Sequence, residues 1–315
     1  MFEFDLIARI RARAATRGDV ILGIGDDAAL LQPPAGMQLA VAMDTLNAGV
    51  HFPPETAPAD IGWKALAVNL SDLAAMGAQP AWCTLSLSLP EADAGFVDGF
   101  LDGFLALAQQ HDVALVGGDT TRGPLSISVT AHGFVEPGTA LRRDGAQVGD
   151  DIWVSGTLGD AAASLAQWKA GDDIDAVLRA RLDRPTPRVA LGRSLRGIAT
   201  SCIDISDGLL ADLGHICEAS DVGAIVDADA LPASTALHAT FDGDARRSLQ
   251  AVGGDEYELC FTAPVSARGT VSQLATSMVG AATRIGTILE EGGVATCLRD
   301  GSPWSAPAAG WVHFA

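Results

Sequence analysis

Lysine and tyrosine are nearly absent from this chain: Lys64 and Lys169 are its only lysines and Tyr257 its only tyrosine. Lysine and arginine together number 20 against 39 acidic residues, a formal charge of −19. That balance argues against nucleic acid and anionic membrane surfaces as partners, since both need basic patches. The five cysteines, Cys83, Cys202, Cys217, Cys260 and Cys297, form no Cys-x-x-Cys pair. They read as free thiols of a reducing compartment. No apolar run reaches bilayer-spanning length. The first 18 residues lack an apolar signal core, and Glu3 and Asp5 among the arginines oppose a transit peptide. A soluble cytoplasmic protein is expected. A Walker-type loop, Gly-x-x-x-x-Gly-Lys-Ser/Thr, is missing as well.

What is present is apolar and interrupted by acid. Hydrophobic residues make up 48% of the 315, enough for sizeable cores, and the length suggests about two domains on a prior of roughly 150 residues each. The polar, glycine-containing stretch at 142–150 marks the boundary, dividing a domain of 1–148 from one of 149–315. Helical and strand patterns alternate in both halves, which indicates an α/β or α+β protein. The run Cys83-Thr84-Leu85-Ser86-Leu87-Ser88-Leu89 alternates without exception, the mark of a strand with one solvated or interfacial face. Val-Gly-Gly-Asp occurs at 116–119 and again at 252–255, a faint sign that both halves place a carboxylate after a glycine pair.

Residues 59–78 are the organising stretch. Ala, Leu and Met favour helix, Gly77 is placed to stop it, and from Ala65 to Met76 apolar residues surround the axis as in a buried helix. Asp72 shares a face with Ala65, Val68 and Met76. A buried carboxylate must be neutralised or meet a cation, and neither lysine is placed to answer it, so a metal ion is the natural partner.

Aspartates also recur just beyond apolar strands: Asp26, Asp27, Asp44, Asp119, Asp204 and Asp207. Each alone reads as a turn residue or helix cap. Together with Asp72 they point to converging carboxylates, which repel unless cations separate them. Hard oxygen ligands select Mg²⁺ or Ca²⁺, and Asp-Gly-Asp at 242–244 lacks the later ligands of a calcium loop. Carboxylate-bound Mg²⁺ suits phosphoryl transfer. Phosphates would then be held by metal, by the backbone of Gly117-Gly118-Asp119 or Gly156-Thr157-Leu158-Gly159, and by arginine. Arg143 is either a charge-assisted ATP contact or a solvated surface side chain. His51 lies in a polar loop, where a lone histidine is usually structural. Trp311 either stacks on a flat ligand or docks on the core.

Several of these segments resemble the thiamine-monophosphate kinase family: Gly23-Ile24-Gly25-Asp26-Asp27, Asp44-Thr45-Leu46 through His51-Phe52, and Asn69-Leu70-Ser71-Asp72-Leu73-Ala74-Ala75-Met76-Gly77. So do Gly117-Gly118-Asp119-Thr120-Thr121, Asp204-Ile205-Ser206-Asp207-Gly208 and Tyr257-Glu258-Leu259-Cys260-Phe261. The resemblance implies a two-domain fold of the aminoimidazole ribonucleotide synthetase type. In it an N-terminal mixed sheet forms a barrel across a homodimer, and a C-terminal α/β domain completes the substrate site. It implies ATP-dependent phosphorylation of thiamine monophosphate to thiamine diphosphate, the last step of that biosynthesis. By the family pattern Asp27, Asp44, Asp72, Asp119, Asp204 and Asp207 hold several Mg²⁺ ions. Gly118, Asp119, Arg143 and Ser206 contact ATP, and His51, Asp255 and Trp311 border the thiamine phosphate. Two departures stand out. Ala42 and Met43 replace hydroxyl residues before Asp44, and the family's Gly-Gly-Glu-Asp is here Gly253-Gly254-Asp255-Glu256, which leaves Asp255 and Glu256 as alternatives for the substrate-facing acid. Another ATP-dependent enzyme of this fold, or a non-catalytic Mg²⁺ or nucleotide sensor, is the competing expectation.

Overall fold

The computed structural model describes residues 3–277 and 282–306. It divides into two compact units, Met1–Leu73 with Ala78–Gly138, and Ala74–Gly77 with Thr139–Ala315.

In the first unit, α1 (Glu3–Arg13) is followed by the short strands β1 (Val20–Leu22) and β2 (Leu30–Leu31), then β3 (Gln38–Asn47). Helix α2 (Pro58–Ala75), β4 (Gln79–Leu89), α3 (Ala94–Gln110), β5 (Ala114–Arg122) and β6 (Ser126–Val135) complete it. Four strands form one sheet in the order β3-β6-β4-β5; only the β4–β5 pair is parallel. Helix α2 is apolar all round because it is enclosed: Leu66, Leu70 and Leu73 are at most 1% exposed, each worth roughly 1.5–3 kcal/mol of burial. Its contact with α3 depends on glycine. A Cβ on Gly103 would lie 1.7 Å from the Ala59 carbonyl oxygen, and one on Gly62 would lie 2.0 Å from that of Phe100. Arginines tether α1: Arg9 pairs with Asp98, and Arg13 with Asp102, both acids on α3.

One face of this sheet is largely uncovered. Leu39, Val41 and Met43 of edge strand β3 are 48%, 57% and 63% exposed. Direct pairing carries this face through Thr130 and Ser128 of β6 and Thr84 and Ser86 of β4 to Gly117 and Asp119 of β5. The alternation of β4 is as expected: Cys83, Leu85, Leu87 and Leu89 are buried, whereas Ser86 is exposed.

The second unit contains β7 (Asp151–Ser155), α4 (Asp160–Ala170), α5 (Ala176–Asp183), α6 (Val189–Leu195), β8 (Ser201–Asp204), α7 (Leu209–Ser220) and β9 (Gly223–Asp227). After these come α8 (Thr235–Thr240), α9 (Gly243–Val252), β10 (Leu259–Ala263), α10 (Arg268–Ser277), β11 (Ala282–Leu289) and β12 (Gly293–Cys297). The six strands run β12-β9-β11-β7-β10-β8 over a core that includes Ile152, Val154, Ile203, Leu213, Val226 and Ile288. Because β10 is antiparallel to both β7 and β8, the ends of β7 and β8 and the beginning of β10 share one edge of the sheet. The five cysteines are free thiols. No helix among the described residues is long and apolar enough to cross a membrane.

Two expectations are corrected. Strand β3 runs on through Asp44 to Asn47, and β5 runs on through Gly117–Asp119 to Arg122, so these residues lie within paired strands, not in loops beyond them. Ladder pairing with β6 and β4 overrides the local turn preference of glycine and aspartate. The repeated Val-Gly-Gly-Asp is no structural repeat, since the first copy is strand and the second is the last residue of α9 followed by irregular chain.

Candidate active site

The first unit brings together Asp44, Asp72 and His51. Asp44 lies on the helix-covered face of β3, and its backbone N–H donates to Asn69 Oδ1 of α2 at 3.0 Å. Its carboxyl is hydrogen-bonded to that of Asp72, and His51 is close enough to act on it electrostatically. Burial, the largest influence, raises the Asp44 carboxyl above the usual carboxylate range; the Asp72 hydrogen bond and His51 partly oppose this. His51 is held from both ends, its Nδ1 accepting from the Asn47 N–H at 3.0 Å and its carbonyl accepting from Lys64 Nζ at 2.9 Å. Asp72 is half-buried and Met76 exposed, so the fully buried aspartate expected from periodicity is corrected. Both residues lie in the final turn or just beyond α2, where solvent reaches the helix end.

Asp27 and Asp119 are not joined to this pair within the unit. Asp27 is exposed in the turn between β1 and β2, its N–H donating to Asp26 Oδ1. Asp119 pairs in register with Ser86 while Asp44 pairs with Val129, which pairs with Leu85. Period-2 alternation therefore places Asp119 on the open face and Asp44 on the covered one. Gly118, in the same cross-strand row as Asp44 through Leu85 and Val129, has φ +144°, and a Cβ there would sit 1.8 Å from the Leu85 carbonyl oxygen. Only glycine fits.

The second unit assembles three segments at the shared sheet edge: the 156–159 turn after β7, residues 205–208 after β8, and 253–258 before β10. Backbone bonds zip the last two together, Asp255 N–H to the Ser206 carbonyl and Tyr257 N–H to that of Ile205, each 2.8 Å. A Cβ at Gly254 would lie 2.4 Å from the Ser206 oxygen, so the approach again requires glycine. Asp204 is 5% exposed, while Ser206, Asp207 and Asp255 are half-buried. Asp255 has φ +65° and Tyr257 φ +52°, conformations that cost non-glycine residues about 1–2 kcal/mol each. Arg143 is exposed, and its carbonyl accepts from Ser220 Oγ. Trp311 lies outside the described residues.

Asp212, which sequence reasoning passed over, is central here. Its Oδ2 accepts from the N–H groups of Ser206, Asp207 and Gly208 at 3.0, 3.1 and 3.2 Å. Burial, then repulsion from Asp204 and Asp207, pushes its carboxyl up to about 7. The signal was an acid in the first turn of a helix that opens after a glycine. The two adjacent acids differ in exposure: Glu256 is 2% exposed and turned inward, its Oε1 accepting from the Gly159 N–H at 2.9 Å. Asp255 is the more accessible of the two.

Within either unit, no group of three or more His, Cys, Asp or Glu side chains among the described residues is arranged to hold a metal. The donor chemistry nevertheless fits Mg²⁺, which is usually bound by one or two carboxylates plus substrate phosphates, not by an all-protein cage. Asp44 and Asp72 form such a pair, two neighbouring carboxyls whose mutual repulsion a dication would offset.

Residues 25–135 match the AIR synthase related protein N-terminal domain, and residues 147–297 the C-terminal domain of the same family. The thiamine-monophosphate kinase of Salmonella typhimurium is 48% identical over 319 residues, covering 99% of this chain and 98% of the relative. A crystal structure of thiamine-monophosphate kinase from Stenotrophomonas maltophilia is 59% identical with a TM-score of 0.89, covering 96% of this chain and 98% of that one. AaThiL complexed with AMPPCP and TMP is 31% identical with a TM-score of 0.79, covering 99% and 96%. The fold is therefore that of a two-domain AIR synthase related enzyme. Within that group the chain belongs to the thiamine-monophosphate kinase family.

Proposed function

We propose that this enzyme transfers the γ-phosphate of ATP directly to the phosphate of thiamine monophosphate, giving thiamine diphosphate, as the last step of its biosynthesis in the cytoplasm. The observation that carries the reading is the Asp44–Asp72 carboxyl pair beside His51, in a chain whose structural relative AaThiL is complexed with AMPPCP, an ATP analogue, and TMP.

In this reading Asp44 and Asp72, with Asp27 and Asp119 from the first domain (1–148) and Asp204 and Asp207 from the second (149–315), hold several Mg²⁺ ions. Bound Mg²⁺ supplies neutralisation of the phosphate charge on both substrates. Gly118, Asp119, Arg143 and Ser206 contact ATP, with the bare backbone at Gly118 offering room that a side chain would fill. His51, Asp255 and Trp311 border the thiamine phosphate. A carboxylate at Asp255 suits the cationic thiazolium ring. The acceptor phosphate oxygen is already ionised at neutral pH, so no residue need act as a strong base. The chain's task is positioning and charge control. The two small or apolar residues Ala42 and Met43 leave any contact at those positions to the main chain.

The open face of the first unit supports a homodimer. Exposed Leu39, Val41 and Met43 on an edge strand are a surface that monomers rarely leave bare, and a second copy of the same face would cover it.

The test is conversion of thiamine monophosphate to thiamine diphosphate with ATP and Mg²⁺, followed by chromatography. Product that depends on Mg²⁺ and vanishes with EDTA is expected. Bound ATP without product from thiamine monophosphate would overturn the acceptor assignment.

A further inference from the structure

A buried polar cluster lies behind the 253–258 segment and takes no part in the scheme above. Glu258, fully buried, accepts from Ser155 Oγ, from Arg181 Nη2 at 2.8 Å and from Arg188 Nε at 2.6 Å. Asp160, the first residue of α4, accepts from Thr157 Oγ1 at 2.8 Å and Ser234 Oγ at 2.6 Å, with Arg181 Nε 3.8 Å away. Glu256 enters this cluster beside Arg181, Asp160 and Glu258. Two guanidinium groups thus face three carboxyls, and one proton restores the balance. Glu256 is the member that burial favours to hold it, its carboxyl pushed up to about 8; its Oε1 accepts from the Gly159 N–H, and its buried Oε2 meets no partner.

The backbone around Glu256 is under strain. Asp255 before it and Tyr257 after it both have positive φ, and such conformations persist only where surrounding contacts impose them. On one side the contacts are the bonds to Ser206 and Ile205. On the other, the Glu256 carboxyl accepts from the Gly159 N–H and so joins the segment to the 156–159 turn.

We propose that Glu256 is a positioning residue, whose uncharged carboxyl ties the strained segment presenting Asp255 to the 156–159 turn and so holds Asp255 toward thiamine monophosphate. The inference rests on the functional reading above, in which Asp255 borders that substrate. A carboxyl is required at 256 for its shape and its accepting oxygen, not for its charge. An ionised Glu256 would face Asp160 and Glu258 with only Arg181, already shared with Glu258, to answer it. The segment should then loosen.

The experiment compares kcat and KM for thiamine monophosphate in the wild type, Glu256→Gln and Glu256→Ala, across pH 6.5 to 9.5, with thermal melting as a check on folding. Gln keeps the accepting oxygen and carries no charge. At pH 7 Glu256→Ala should raise KM for thiamine monophosphate about tenfold or more with little change in kcat, the pattern of lost binding contacts, and Glu256→Gln should restore most of it. Above about pH 8 the wild-type kcat/KM should fall while that of Glu256→Gln stays flat. Glu256→Gln as impaired as Glu256→Ala, or a Gln variant with the wild-type alkaline fall, would overturn the proposal even if Glu256→Ala fails to fold. An unchanged KM in folded Glu256→Ala would overturn it too. A wild type that turns over no thiamine monophosphate would instead remove the functional reading, and this inference with it.

Discussion

The carboxyls of Asp44 on β3 and Asp72 on α2 lie close enough to act on each other, so a sheet and the helix lying on it meet at a pair of acids. Replacing Asp72 with Asn keeps a hydrogen-bond donor at that place but removes a ligand charge. Turnover should fall by orders of magnitude, on the order of 10²-fold or more as for lost electrostatic stabilisation, while the melting temperature stays near that of the wild type. Steady-state kinetics and calorimetry on the one variant check both halves, and normal turnover would sink the metal-pair reading.

Asp212 makes a contrasting prediction, on stability. Alanine there strands three buried or half-buried N–H groups, those of Ser206, Asp207 and Gly208, and should cost about 1–3 kcal/mol or more. Asparagine keeps an accepting oxygen and relieves repulsion from Asp204 and Asp207, so its loss should be smaller. Urea denaturation of both variants separates the two; equal losses would mean that the charge, not the accepting oxygen, matters.

Glu256 gives a pH-dependent prediction. Burial pushes its carboxyl up to about 8 from an ordinary 4.5. Between those values the unfolded chain has released the proton that the native state keeps, so rising pH favours unfolding by about 1.4 kcal/mol per pH unit from this group. The contribution is fully present below pH 4.5, declines through the window and levels off above about 8. Denaturation from pH 5 to 8 should show the stability gap between Glu256→Gln and wild type shifting steadily in favour of Gln. A constant gap would place the proton elsewhere.

The open sheet face gives the last prediction. Aspartate at Val41 and Met43, which are 57% and 63% exposed, should leave the monomer folded but convert a dimer to monomers in sedimentation equilibrium. Dimers that persist in the variant would exclude this face as the interface.

Much of this was legible from residue order alone. Helix α2 followed from apolar residues all round its axis and from the stop at Gly77, whose φ is +65°, and β4 followed from strict alternation. Both patterns are local, and local patterns survive folding when tertiary contacts agree with them. The acids of each unit, Asp44 and Asp72 in the first and Asp204 and Asp207 in the second, were likewise written in the residue order. Strand β9, by contrast, was missed: Gly223-Ala-Ile-Val-Asp is too short and glycine-led to stand out, and it is a strand because β11 and β12 pair with it on either side.

Tertiary structure alone decided which acids belong together. Pairing register put Asp119 on one face of a sheet and Asp44 on the other, a distinction that one residue of slip would reverse and that no reading of glycine turns contains. Burial, a property of the whole unit, set two adjacent acids apart by turning Glu256 toward Gly159 and leaving Asp255 half-buried. It also made Asp212 the acceptor for three successive N–H groups. The sequence determined that this protein would gather carboxylates at the ends and flanks of apolar strands; the folded chain, through register and desolvation, determined which of them lie together and which are held apart.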